Sequence, residues 1–303
     1  MLRLPPILAA CAALAVASGC GDDDAAGAGS VRVVATTGQA ADFARQVGGG
    51  RVAVTGLLPP NADPHDYEVR PDDVEALADA DLVIRSGGEV DEWLGDAIDA
   101  SGTAAPELVL ADHVEVRDGD PHWWQDPRNA IEATAAIEAG LAKADPAGAA
   151  AYERAARAYT ARLERLDREV ARCIGEIPPE QRTLVTTHDA LGAYAARYGL
   201  RIAGAVIPSR TTLAQPSAGE VDELIATIRR ERVRAIFAES SVNPDVEQAI
   251  ADAAGVTIGT ALYADALGPE GSGGADYVGS IAANTAAIVD GLTGGASSCT
   301  PAP

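Results

Sequence analysis

From residue 31 onward the chain alternates short β-branched apolar runs with longer Ala-rich stretches in which apolar residues recur every three or four positions. Residues 31–35, 52–57, 81–84 and 108–110 are apolar runs bounded by turn residues, the pattern of strands buried on both faces. Between them, residues 39–47 and 71–78 carry helical periodicity, the second opened by Pro71, whose missing N–H costs nothing in a first helical turn. The order strand, helix, strand, helix predicts a parallel sheet, because each crossover returns the chain to the end it started from.

Asp145-Pro146 opens the longest helical pattern, which runs to about Ile174 and stops before Gly175 and Pro178-Pro179. Tyr152, Ala156, Tyr159, Leu163, Leu166, Val170 and Cys173 form one apolar stripe along it, with Arg and Glu on the other faces. At ~1.5 Å per residue such a helix spans on the order of 40 Å, enough to cross a whole domain. Beyond it, residues 183–186, 202–206, 235–238 and 256–258 read as strands. Residues 220–230 form the clearest intervening helix, with Val221, Leu224, Ile225 and Ile228 on one side. The fold class predicted is α/β with two lobes at 31–144 and 178–293, each a mostly parallel four-stranded sheet with flanking helices. One long backbone helix at 145–177 joins them. The Gly-, Ser- and Pro-rich residues 294–303 read as a loose tail.

The first residues are a different material. Arg3, an apolar run to Val16 and the small residues Ala17-Ser18-Gly19 before Cys20 make an export signal at 1–19, too short for a comfortable membrane span. Residues 20–30, with Asp22, Asp23 and Asp24 among Gly and Ala, read as a flexible tether. With Cys11 in the signal, Cys173 and Cys299 remain in an oxidising compartment and are expected to pair. There is no Cys-x-x-Cys pair to build a thiolate zinc site.

The 303 residues, 47% of them apolar, suffice for one large or two medium domains with a core, which excludes disorder of the whole chain. The net charge of -22 argues against a nucleic-acid-binding surface, which needs clustered Lys and Arg. It either favours cationic ligands or serves solubility alone.

Candidate chemistry comes from scarcity and placement. The chain has only 4 histidines. His65, His122 and His188 each sit where a strand-like segment gives way to a turn, and Asp265 occupies the matching place near the end. In open parallel α/β sheets, ligands bind beyond the carboxyl ends of the strands. Any one of these histidines alone is better explained as a structural residue; three at matching strand ends point to a shared metal site. His113, in Ala-Asp-His-Val-Glu, lacks that context and reads as a surface residue.

Five segments carry a resemblance: PHDYE at Pro64 to Glu68, DPHWWQDP at Asp120 to Pro127, TTHDALGAYAARYGL at Thr186 to Leu200, FAESSVNP at Phe237 to Pro244 and LYADALG at Leu262 to Gly268. In content and order they resemble the zinc- and manganese-binding solute-binding lipoproteins of ABC transporters. That resemblance implies two lobes joined by a long helix and His65, His122, His188 and Asp265 as metal ligands. It further implies lipidation of Cys20, an extracytoplasmic location at the cell surface or in the periplasm, and a membrane permease as partner. A monomer is expected. The His-rich loop that some zinc-specific members carry before His122 is missing, so auxiliary capture there is not expected. Manganese members tend to have Glu where this chain has His188, which favours zinc.

Chemistry points the same way, since imidazoles with one carboxylate suit tetrahedral zinc whereas manganese prefers more oxygen. The single methionine, the initiator, disfavours copper. Glu239 could accept the free N–H of a ligand histidine or simply cap a loop, and Glu68, Asp126 and Asp189 are similar candidates. Trp123 and Trp124 could wall a cleft or fill the core. The competing function is a zinc hydrolase, in which three histidines leave an open metal position and Glu239 acts as general base. Coordination by Asp265 would close that position.

Overall fold

The computed structural model describes residues 30–302. The export signal and nearly all of the tether lie outside the described residues. The N-terminal lobe holds β1 (Val31–Ala35), α1 (Gly38–Gly48), β2 (Val52–Gly56), α2 (Pro71–Ala78), β3 (Leu82–Arg85), α3 (Leu94–Ser101), β4 (Glu107–Val109) and α4 (Pro127–Ala144). Its four strands are all parallel in the order β2-β1-β3-β4. The chain leaves β1 for one neighbour and later returns to the other. This opens a crevice beyond the carboxyl ends of the strands, where loops vary without disturbing the sheet.

Burial on both faces holds for the central strands, with β3 reading Leu82, Val83 and Ile84 all buried. It does not hold for β2, an edge strand in which Val52 and Val54 face inward while Ala53 and Thr55 are exposed. An apolar run does not reveal whether it has one neighbour or two.

After a single 3-10 turn at Pro146–Gly148, where the long helix was expected to have begun, α5 (Ala149–Gly175) runs unbroken for 27 residues. The stripe read from the sequence, Tyr152 to Cys173, is its buried face. That face lies in one continuous core with Val33, Phe43 and Ile84 of the first lobe and Leu184, Tyr194, Phe237 and Ile281 of the second. Phe43 of α1 meets Tyr277 of the second lobe edge-to-face at 4.9 Å between ring centroids and Tyr159 of α5 at 6.2 Å. Such T-shaped pairs add to the burial of large rings. Trp123 and Trp124 are fully buried in this core.

The second lobe contains β5 (Thr183–Thr186), α6 (Gly192–Tyr198), β6 (Arg201–Ala205), α7 (Ala218–Glu231), β7 (Ala235–Ile236), α8 (Asp245–Ala254), β8 (Thr257–Ile258) and α9 (Tyr277–Thr293). Its strands are parallel, but the expected four-stranded sheet is divided into the pairs β5-β6 and β7-β8. Single bridges at Thr186–Phe237 and Glu239–Leu262 stitch the pairs and their extensions together. Within the runs at 235–238 and 256–258 only Ala235–Ile236 and Thr257–Ile258 pair as strands, and Phe237 and Glu239 make the single bridges beyond. Helix α7 starts at a capping box, with Ser217 Oγ accepting from Glu220 N–H and Glu220 from Ser217 N–H.

The tail is not loose. Cys173 and Cys299 form a disulfide with Cα atoms 5.4 Å apart, and Ser297 N–H donates to Thr293 Oγ1 at 3.1 Å. Polar composition predicted mobility; one covalent bond to the end of α5 overrides it. Replacing both cysteines with serine is expected to cost about 2–5 kcal/mol of stability, as for native disulfides closing long loops. The check is a lower Tm in thermal unfolding of the mature protein, with an unchanged Tm as the contrary result.

Candidate metal centre

Each of the four residues is placed by a short, polar device at a strand end. His65 lies in a single 3-10 turn, Pro64–Asp66, after β2. Asp63 Oδ1 accepts the His65 backbone N–H at 2.9 Å, and Trp93 Nε1 donates to Pro64 O at 3.0 Å. His122 stands before the turn Trp123–Gln125, and Asp120 Oδ1 accepts both its backbone N–H, at 3.0 Å, and its ring Nδ1–H, at 2.7 Å. Gly192, at the start of α6, makes room for that carboxylate, since a Cβ there would lie 2.8 Å from Asp120 Oδ2. His188 follows β5, and Glu239 Oε1 lies 2.6 Å from its Nδ1 and 3.2 Å from its backbone N. Carboxylates at the Nδ1 of His122 and His188 fix the tautomer that leaves each Nε2 free to ligate.

Asp265 comes from the second lobe, but its segment is gripped by the first. Gln39 Nε2 donates to Asp265 O at 3.1 Å, Trp124 Nε1 to Ala264 O at 2.9 Å and Asn61 N–H to Leu267 O at 2.9 Å. Just before it, Leu262 and Tyr263 bond to Ala238, Ser240 and Asn284 of the second lobe. Asp265 therefore sits on the seam.

The four side chains converge. One ligating atom from each of His65, His122, His188 and Asp265 lies within 4.8 Å of all the others. His65 Nε2 is 3.3 Å and His188 Nε2 3.2 Å from Asp265 Oδ2, His122 Nε2 is 3.4 Å from Oδ1, and the Nε2 atoms of His122 and His188 are 3.3 Å apart. A metal with ligands at ~2.0–2.1 Å in tetrahedral array has edges of about 3.3–3.4 Å. The side chains are at most 2% exposed, yet His65 Nε2 and both Asp265 carboxylate oxygens have no hydrogen-bond partner. Unpartnered lone pairs in a dry site are costly, and a cation at their centre satisfies them.

Electrostatics agree. Burial pulls the His188 imidazolium down, but the Asp265 and Glu239 carboxylates outweigh it and hold its pKa up at about 11. Burial likewise pushes against ionisation of Asp265, and the His122 and His188 rings overcome it, holding the carboxyl well below its usual range. Burial raises the Glu239 carboxyl, against the pull of His188. Without metal, a proton on His188 takes part of the cation's place.

Some expected neighbours stand elsewhere. Glu68 and Asp189 are exposed. Asp126 caps α4, accepting Arg128 N–H at 2.9 Å and pairing with the Arg128 guanidinium at 2.7 Å. Tyr67 steadies the loop through Leu57 O at 3.0 Å and Asp73 Oδ2 at 2.7 Å. Trp124 does both things a tryptophan could, filling the core and packing edge-on against His122 at 5.4 Å. Sequence reasoning missed Asp63 and Asp120, although the signal was present. Asp-Pro-His occurs twice, at 63–65 and 120–122, and an Asp side chain readily accepts the backbone N–H two residues on.

Known proteins resemble this chain over most of its length. Residues 33–291 match the family model ZnuA, zinc-uptake complex component A, periplasmic. The chain is 32% identical to the manganese-binding lipoprotein MntA of Bacillus subtilis over 291 residues, covering 91% of this chain and 94% of that one. It is 33% identical to the zinc-binding protein TroA of Treponema pallidum over 287 residues, covering 90% and 92%. The solved structure of the periplasmic zinc-binding TroA superposes with a TM-score of 0.82 over 87% of this chain and 99% of that one, at 31% identity. The chain thus belongs to the ZnuA family, the metal-binding substrate-binding proteins of ABC transporters.

Proposed function

We propose that this protein captures a zinc ion outside the cytoplasm with His65, His122, His188 and Asp265 as ligands, and passes it to the permease of an ABC transporter. The observation that carries the assignment is the convergence of four buried ligands, with His65 Nε2 and both Asp265 oxygens unpartnered and four of the ligand-atom separations at 3.2–3.4 Å, close to the edge of a zinc tetrahedron. Three imidazoles and one carboxylate match zinc better than manganese, which takes more oxygen ligands. Asp265 is the one point of adaptability: both its oxygens face the centre, and two-oxygen binding would serve manganese, which the relative MntA is named for. With Asp265 as fourth ligand no coordination position remains for a reactive water, which fits a carrier and not a hydrolase. Glu239 then orients His188 and is not a general base.

Among the described residues no helix is long and apolar enough to cross a membrane. Attachment is assigned to lipid on Cys20, with the folded body, a monomer, hanging from a short tether. The acidic surface, -22 overall, raises the local cation concentration.

Three outcomes test the site. His188→Ala is expected to abolish one-to-one zinc binding in calorimetry, and undiminished affinity would remove His188 from the ligand set. Glu239→Gln keeps an acceptor but loses the charge behind His188, and is expected to weaken zinc binding by about 10–100-fold with the stoichiometry kept; an unchanged Kd would reduce Glu239 to a loop cap. Because the His188 pKa is raised to about 11, the metal-free protein carries that proton at neutral pH, and binding must expel it. Lowering the pH favours the protonated competitor, so affinity is expected to fall by about tenfold per unit for each proton released. Titrations in buffers of different ionisation enthalpy count the protons; zero release at pH 7 and flat affinity from pH 8 to 5 contradict the model.

A further inference from the structure

His65 differs from its two partners. The Nδ1 atoms of His122 and His188 are each held by a carboxylate, Asp120 at 2.7 Å and Glu239 at 2.6 Å. Among the described residues the His65 ring meets no carboxylate except Asp265, on the metal side; Asp63 bonds only its backbone N–H. Its residue is also the one member of the four that is not fully buried. Its ring is almost as covered as the others, at 2% exposure, but it is the least anchored of the ligands, and the least anchored ligand is where an ion most easily leaves.

A contact between the lobes is made two residues from this ligand. Thr212 of the second lobe donates its hydroxyl to Asp63 Oδ2 at 2.5 Å, while Oδ1 of the same carboxylate holds the His65 backbone N–H at 2.9 Å. The segment carrying Thr212, residues 207–217, is itself rooted on both sides of His188. Ile207 N–H donates to Thr187 O at 2.8 Å, and Asp189 N–H to Ser209 O at 2.9 Å. One short chain of bonds thus runs from the neighbours of His188, along the loop, through Thr212 and Asp63, to the turn that carries His65. The loop's tip has little else to hold it: Leu213 beside Thr212 is 57% exposed, and the remaining local bonds, such as Thr211 N–H to Ser209 Oγ at 3.3 Å, are internal. The alternative approach, a cavity of about 240 Å³ lined by Gly38, Pro59 and Leu267, reaches Asp265, but that side chain is wholly covered.

We propose that Asp63 and Thr212 are positioning residues that latch the two lobes over His65 and set how fast the ion leaves. Opening this hydrogen bond uncouples the His65 turn from the loop bound around His188, so that His65 moves off the ion while the clasp of Gln39, Trp124 and Asn61 on the Asp265 segment stays made. The latch rests on the metal-site assignment above but acts on rate, whereas the ligands decide whether one ion binds at all.

The test uses the mature protein loaded with one zinc, mixed with excess chelator in a stopped-flow instrument. Thr212→Val keeps the shape and removes the donor. It is expected to release zinc about tenfold faster, the scale of one hydrogen bond to a charged acceptor, at unchanged stoichiometry. Thr212→Ser restores the hydroxyl and is expected to release at the original rate, which a merely structural role of the side-chain methyl would not give. In Asp63→Ala the added change Thr212→Val is expected to have no further effect, because the bond is already gone. Amide exchange of residues 208–214 in the metal-free Thr212→Val protein is expected to rise. An unchanged release rate in Thr212→Val, or additive effects in the double variant, overturns the latch. Loss of stoichiometric zinc binding in the parent protein would instead overturn the site assignment, so the two failures are distinguishable.

Discussion

Four lone-pair-bearing side chains packed into one dry pocket are unstable as neutral neighbours, and the rest of the structure exists to hold them there. Asp265, fully covered and with both oxygens unpartnered, is the centre of this tension. Its charge is tolerated because the His122 and His188 rings stabilise it more than burial opposes it. A divalent cation does the same job better, since it satisfies all four groups at once and keeps the negative charge of Asp265 and of the supporting carboxylates compensated. On the proposed assignment, affinity for the ion is stored as unmet coordination, held open by the fold.

Holding it open requires that residues two hundred positions apart be fixed to a fraction of an ångström. Helix α5 does this at long range by lending one apolar face to both lobes, so that Phe43, Tyr159, Tyr277 and Phe237 belong to one core. Tyr277 closes the joint, its N–H donating to Asp42 at 3.0 Å and its hydroxyl to Trp124 O at 2.6 Å. At short range, backbone carbonyls around Asp265 are clasped by Gln39, Trp124 and Asn61 from the opposite lobe. The disulfide from Cys173 to Cys299 pins the far end of the helix to the end of the chain.

Much of this was legible in the sequence because periodicity and scarcity are local signals with few alternative causes. The stripe from Tyr152 to Cys173 named the buried face of α5 residue by residue, and β1, α2 and β5 have the bounds that their patterns suggest. What failed was information that lives between segments. Val52 to Gly56 does not say that it is an edge strand, and the runs at 235–238 and 256–258 do not say that only Ala235–Ile236 and Thr257–Ile258 pair. Among the carboxylates near the blocks, Glu239 and Glu68 look alike in sequence; only the fold puts one behind His188 and leaves the other in solvent. The tail's composition concealed its anchor, although Cys299 itself was visible.

The account stands or falls on the identity of the four ligands, and X-ray absorption at the zinc edge of the mature, zinc-loaded protein reads them directly. Three imidazole nitrogens at ~2.0–2.1 Å and carboxylate oxygen at ~2.0–2.2 Å are the expected shell. A spectrum with fewer than three imidazoles, or with sulfur at ~2.3 Å, would contradict it.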